Sequence, residues 1–224
     1  MPNRPTKTIV LLTSVEGDLL NAVVAALTHA GAGPAVTRTL EDLRQADTGT
    51  LVSFGTSVIV PRDVLERFEG SAFNVHPASP DYPGRDPHHF AVYDGVARYG
   101  ATFHVMTAKV DDGPILDVEW FDVPPGCAPG PLLDLANAAS VRLLQRHGRA
   151  LAEGLPIVPA GGMRWGARKR ARADFRAMCA LTPDISAEEF QKRFAAFDGG
   201  VYNNLTVQLH GWTFRIDKAA GRKS

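Results

Sequence analysis

Cysteine is scarce in this chain: Cys127 and Cys179 are the only two in 224 residues. Neither stands in a metal-ligand spacing, and two alone make no disulfide framework, so a reducing, cytoplasmic setting is expected. Net charge is missing as well, with Lys plus Arg and Asp plus Glu at 24 each. No overall field then argues for a nucleic-acid partner or an anionic membrane. Long apolar runs are also lacking. The N-terminal stretch "MPNRPTKTIVLLTS" holds an apolar run of about five residues, too short for the core of a signal peptide, and no segment approaches the roughly eighteen that a membrane span needs. There is no internal repeat and no low-complexity tract. What is there, 45% apolar and 21% charged residues, is the make-up of a soluble globular protein with room for one domain and a small appendage.

The chain alternates short apolar runs with helical patterns. "KTIVLLTS" (7–14) is rich in β-branched residues, and behind it Leu19, Leu20, Val23, Ala26 and Leu27 recur at helical spacing before a glycine stop. "AVTRT", "GTLVSFG" (49–55), "AFNVHP" (72–77), "GATFHVMT" (100–107) and "PILDVEWFDV" (114–123) are further strands; "LEDLRQA", "PRDVLERFEG" and "DPHHFAVYDG" are short helices. "PLLDLANAASVRLLQRHGRALAEG" is the longest helix. Such alternation predicts an α/β sheet with helices on both faces and a site at the carboxyl ends of strands.

The texture changes after residue 155, so residues 1–155 are expected as a core and 156–224 as an extension. "LPIVPAGGMRWGARKRARADFR" is rich in Pro and Gly and then basic. "SAEEFQKRFAAF" carries a capping signal, Ser186 three residues before Glu189. In "VYNNLTVQLHGWTFRI" the turn signals Asn203-Asn204 and His210-Gly211 interrupt alternating apolar residues, which predicts a β-hairpin.

Chemistry concentrates in "FNVHPASPDYPG" (73–84). Asn74 and His76 lie two apart on a strand and so share a face, with Pro77, Pro80 and Pro83 stiffening the loop behind them. Either a polar pair is aimed at something or a strand ends in a polar turn. An amide can donate to an oxygen that is becoming negative, and an imidazole can pass a proton near neutral pH. A second cluster, "TAKVDDGPIL" (107–116), puts Asp111 and Asp112 at a glycine turn; a carboxylate beside His76 would orient its ring. Together these make an acid-base device with an oxyanion donor and no evident covalent nucleophile.

The ordered set "FNVHPASPDYPG", "FAVYDG" and "YGATFHVMTAKVDDGPIL" resembles the folate-dependent formyltransferases, whose signature is Asn-x-His-Pro, a proline-rich loop closing in Tyr-Pro-Gly or Tyr-Arg-Gly, Gly-x-Thr-x-His and Asp-x-Gly-Pro-Ile. The resemblance implies a Rossmann-like α/β domain, mostly parallel, with a short C-terminal helix and hairpin. It implies transfer of a formyl group from N10-formyltetrahydrofolate to an amine, with no metal. By it, Asn74 donates to the formyl oxygen as a tetrahedral intermediate forms, His76 assists proton transfer, and Asp111 pairs with His76. Asp112 falls on a variable position and reads as a solvated turn, and His104 as structural support. Thr56, Ser57, Val58 and Ile59 form one wall for the pterin, and Thr107, Ala108, Lys109 and Val110 the other. Pro77, Tyr82 and Gly84 border the acceptor.

Departures from the family's better-known branches bear on the acceptor. "TSVEGDLL" replaces a Gly/Ser/Asn-rich phosphate loop, and Glu16 and Asp18 there would repel the phosphate of glycinamide ribonucleotide. Methionyl-tRNA formyltransferases have a larger C-terminal domain, and no positive balance is available here for tRNA; formyltetrahydrofolate hydrolases carry an added N-terminal domain. Nucleotide-linked amino sugars remain, as the small-molecule amine acceptors, with Arg164, Arg168, Lys169 and Arg170 as candidates for a pyrophosphate or as a solvated surface. The apolar hairpin points to a homodimer, with residues 201–216 either at its interface or docked beside the acceptor site. Two readings of other kinds stand beside this one: a metallohydrolase using His76, His88 or His89 and Asp111, and a non-catalytic folate- or nucleotide-binding module.

Overall fold

A computed structural model describes residues 7–159 and 161–217. Five strands and four helices alternate in its first half: β1 (Ile9–Thr13), α1 (Gly17–Leu27), β2 (Ala35–Thr37), α2 (Leu40–Gln45), β3 (Thr50–Phe54), α3 (Arg62–Glu66), β4 (Ala72–His76), α4 (Pro87–Asp94) and β5 (Arg98–Val105). β6 (Ile115–Asp122) and the long α5 (Pro129–Glu153) complete the core. The sheet runs β2-β1-β3-β4-β5-β6, parallel through β4 and antiparallel across β5 and β6.

Every residue of β1 and β3 is buried, as central strands covered on both faces must be. Their side chains alternate between two cores. Ile9, Leu11, Val52, Phe54, Val75 and Phe103 pack against Val23 and Leu27 of α1 and Leu143, Leu144 and Leu151 of α5. Val10, Leu12, Leu51 and Ala72 face Leu43 of α2 and Val64 of α3. Asn74 and His76 share the parity of Ala72, so they project on the side of α2 and α3, away from Phe73 and Val75.

The chain beyond α5 contains more structure than its sequence predicts. α6 (Arg172–Cys179), β7 (Ala180–Leu181) and α7 (Ala187–Arg193) precede a π-helical turn at Phe194–Asp198. β7 pairs with β8 (Thr206–Leu209), which forms the expected hairpin with β9 (Trp212–Arg215). Its turn is His210-Gly211, both with positive φ (49° and 83°), as a two-residue hairpin turn requires. Asn203-Asn204 makes no hairpin turn; Asn204 instead donates its side-chain N–H to the Phe197 carbonyl. Ser186 caps α7 by accepting from the Glu189 amide, whereas the Glu189 carboxylate is taken by Tyr93 and Arg193. The extension is seated on α4: Phe90 packs with Cys179, Leu181, Ala196, Phe197 and Leu205 in one buried cluster. No helix among the described residues is long and apolar enough to cross a membrane.

Candidate active site

Register places the first pair. Antiparallel pairing sets Asn74 opposite His104 and His76 opposite Thr102, and the β5–β6 pairing slips between Phe103 and His104. His104 Nδ1 lies 2.9 Å from the Val105 carbonyl, which can only accept, so Nδ1 carries the ring proton there. Nε2 is then the lone-pair side and receives an N–H from the Asn74 amide at 3.0 Å. One N–H of Asn74 is thereby spent on orientation, and the other has no partner among the described residues. His76 is fixed in the same manner, its Nε2 donating to the Tyr82 carbonyl at 2.9 Å. That leaves Nδ1 facing Asp111.

Asp111 comes from the loop between β5 and β6, which folds back over the end of β4. Its Oδ2 accepts the Gly84 amide at 2.8 Å and lies 3.8 Å from His76 Nδ1, while Oδ1 is 3.6 Å from His104 Nε2. Burial alone would raise this carboxyl. The charges of His76 and His104, when their rings are protonated, and the Gly84 amide outweigh burial and bring it down to about 2. Asp111 is therefore an anion at any ordinary pH. Asp112, next to it, is exposed.

These groups line a cavity of about 700 Å³. Thr56, Ser57, Val58, Ile59, Thr107, Ala108, Lys109 and Val110 are all on its wall, as are Pro77 and Gly84. Ile59 and Val110 are 57% and 43% exposed, apolar surface that a flat aromatic ring would cover. Tyr82 is not on the wall. Its carbonyl holds His76, its hydroxyl donates to Asp94, and its ring packs edge-on against Tyr99. Gly84 acts through its backbone: φ is +101°, and a Cβ there would stand 2.1 Å from the Arg170 carbonyl oxygen.

The sequence offers no local signal for the strap that closes the site. Residues 165–171 run back over the proline-rich loop, with the Gly166 and Arg170 amides donating to Pro80 and Pro83 and the Arg85 amide to Arg170. Trp165 stands edge-on to His104 (4.9 Å between centroids) and to His76 (6.0 Å), and donates its indole N–H to the Gly113 carbonyl. Of the basic run, Lys169 and Arg170 reach the cavity, joined by Arg85 and Arg172. Arg164 is not on its wall; Arg168, also off it, sits 3.5 Å from Asp174. Five cations then line the cavity against two carboxylates, Asp86 and Asp111. His88 is on the wall, whereas His89 turns to the Ala196 carbonyl and stacks on Phe197. Among the described residues, no three His, Cys, Asp or Glu side chains converge as metal ligands.

Comparison with known proteins bears on the family and the fold. A methionyl-tRNA formyltransferase of Chloroflexus aggregans is 34% identical over 125 residues, covering 54% of this chain and 40% of that protein. The chain thus spans well under two thirds of the length of the curated relatives it matches. A sugar N-formyltransferase of a Shewanella species superposes with a TM-score of 0.74 at 18% identity, covering 94% of this chain and 96% of that one. The N-formyltransferase of Helicobacter canadensis, solved with folinic acid and dTDP-3-aminofucose, gives 0.64 at 13% identity, covering 91% and 84%. Identities this low speak for the fold alone. The model of the family described as formyl transferase matches residues 8–134, more than half of the sequence and all of the stretch that supplies Asn74, His76 and Asp111, so this chain belongs to the formyl transferase family.

Proposed function

We infer that this protein transfers a formyl group from N10-formyltetrahydrofolate to the primary amine of a nucleotide-linked amino sugar. The observation that carries the reaction is the convergence of the second Asn74 N–H, the His76 ring and the Asp111 anion on one cavity. The exposed apolar faces of Ile59 and Val110 and the backbone of 56–59 and 107–110 fit a pterin. When bound, the folate supplies the formyl carbon as electrophile. Asn74, held by His104, donates its remaining N–H to the formyl oxygen as negative charge gathers there. His76 Nδ1 takes the proton released as the amine bonds to that carbon, and returns it to N10 as the carbon–N10 bond breaks. Asp111 stabilises the imidazolium in between, and the Gly84 amide keeps the carboxylate aimed. The acceptor amine is itself the nucleophile, so no activated Ser or Cys is required.

The excess of cations on the cavity wall supports an anionic acceptor such as a sugar nucleotide. Arg85, Lys169 and Arg172 form no ion pair among the described residues, which leaves their charge available. The test is incubation with N10-formyltetrahydrofolate and a panel of amines: nucleotide-linked amino sugars, glycinamide ribonucleotide and methionyl-tRNA. Tetrahydrofolate release and formylated product are followed together. Product with an amino-sugar nucleotide alone is expected; product with methionyl-tRNA alone would move the acceptor to RNA, and no transfer to any amine would remove the activity.

A further inference from the structure

Three buried side-chain atoms, Ser79 Oγ, Tyr99 OH and His88 Nδ1, have no hydrogen-bond partner within the described residues. His88 is the one of these three residues that lines the cavity. It is the second residue of α4, 8% exposed, and its ring lies 4.4 Å from that of His89 and 6.4 Å from that of Tyr202. Its other nitrogen, Nε2, makes no hydrogen bond there either, although unlike Nδ1 it is not sealed from solvent. Nδ1 is sealed as a bare lone pair, and Nε2, with no partner among the described residues on the wall of a binding cavity, is the nitrogen whose partner can arrive with the ligand. Burial, and then the neighbouring His89, push this imidazole down to about 3, so it is neutral across the working pH range and carries a single N–H. An unmet N–H is costlier to bury than an unmet lone pair, which puts the proton on Nε2, the accessible nitrogen.

We propose that His88 is an acceptor-reading residue: its neutral Nε2–H donates to an oxygen of the sugar-phosphate part of the acceptor. The assignment rests on the formyl-transfer reading above. Position supports it. His88 follows Arg85 and Asp86 on the loop leaving β4, among the cations of the wall and apart from the two segments assigned to the pterin. A neutral donor suits this place. It reads the position of one oxygen without adding to a charge that the cations already supply, and it leaves no pH dependence of its own above the acid range.

The experiment uses the full chain with dTDP-3-aminofucose as acceptor probe and folinic acid as donor-site probe. His88→Leu is expected to raise the KM or Kd for the amino sugar about tenfold or more, with folinic acid binding unchanged. His88→Gln, whose amide N–H reaches the position of Nε2, should recover most of that loss, and the effect should be flat between about pH 6 and 9. A merely structural role predicts the reverse: both variants lose thermal stability and turnover, and the acceptor constant does not move. An unchanged acceptor constant in His88→Leu overturns the assignment, as does a loss confined to folinic acid, which would put His88 on the donor. Wild-type protein that binds folinic acid but not the amino sugar also overturns it and leaves the donor reading standing; failure to bind folinic acid removes the formyl-transfer reading itself.

Discussion

Asp111 meets three segments at once: it accepts the Gly84 amide from the proline-rich loop and lies beside His76 from β4 and His104 from β5. In the proposed mechanism each of the carboxylate, the imidazole and the amide makes a contact that strengthens in the transition state. Asp111→Ala, His76→Ala and Asn74→Ala should therefore each lower kcat about a hundredfold or more, while exposed Asp112→Ala stays within about threefold. Near-wild-type turnover in the Asp111 variant beside an inactive Asp112 variant would show that the wrong carboxylate is assigned. The same group sets an acid limit on stability. Its folded value, about 2, lies below the ordinary 3.8, so its contribution is present above pH 4 and is lost as pH falls from about 4 to 2. Denaturant titrations over that window should show an acid-side loss of about 2 kcal/mol more in wild type than in Asp111→Asn. Asn74 and His76 could be read from the sequence because two residues apart on a strand means one face. Asp111 stands far along the chain, and only the family resemblance chose it over Asp112 as the partner of His76.

Elements that look like connectors do much of the positioning. The strap at 165–171 has the composition of a linker, yet it hydrogen-bonds to the loop that carries His76's carbonyl partner, and Trp165 braces both histidines. Trp165→Phe keeps the ring and loses only the bond to Gly113, so turnover should fall by no more than about threefold. Trp165→Ala should cost about tenfold or more, with kcat falling rather than KM rising. Equal activity in the two variants would mean that the ring contact does not matter. Gly84→Ala combines a left-handed φ with a direct clash against Arg170, and should lower both the melting temperature and kcat. α6 and β7 escaped the sequence reading because they are short and their partners, α4 and β8, are remote in the chain. An eight-residue helix or two-residue strand has too few turns or alternations to show a period.

For the whole molecule, the C-terminal hairpin poses the question of assembly. Leu205, Val207, Leu209, Trp212, Phe214 and Ile216 share one face. Its base is satisfied, with Leu205 buried and Val207 and Ile216 packed on the α4 cluster, but the tip overhangs: Leu209, Trp212 and Phe214 are 41%, 73% and 53% exposed. A homodimer in which two tips cover each other is the proposal that accounts for this surface. Trp212→Ser with Phe214→Ser leaves the base intact and should yield monomers by light scattering; a wild type that is monomeric at high micromolar concentration would end the idea. The sequence alone determined the order of strands and helices through α5 and the shared face of Asn74 and His76. Both follow from patterns within one segment: apolar runs, and periods of two or 3.6 residues. Tertiary structure decided which distant groups meet or share a wall: Asp111 with Gly84, Trp165 with two histidines, and Arg85 and His88 on the cavity that Lys169 and Arg172 also line. Those meetings depend on how loops pack and on backbone hydrogen bonds between remote residues, which leave no repeating mark along the chain.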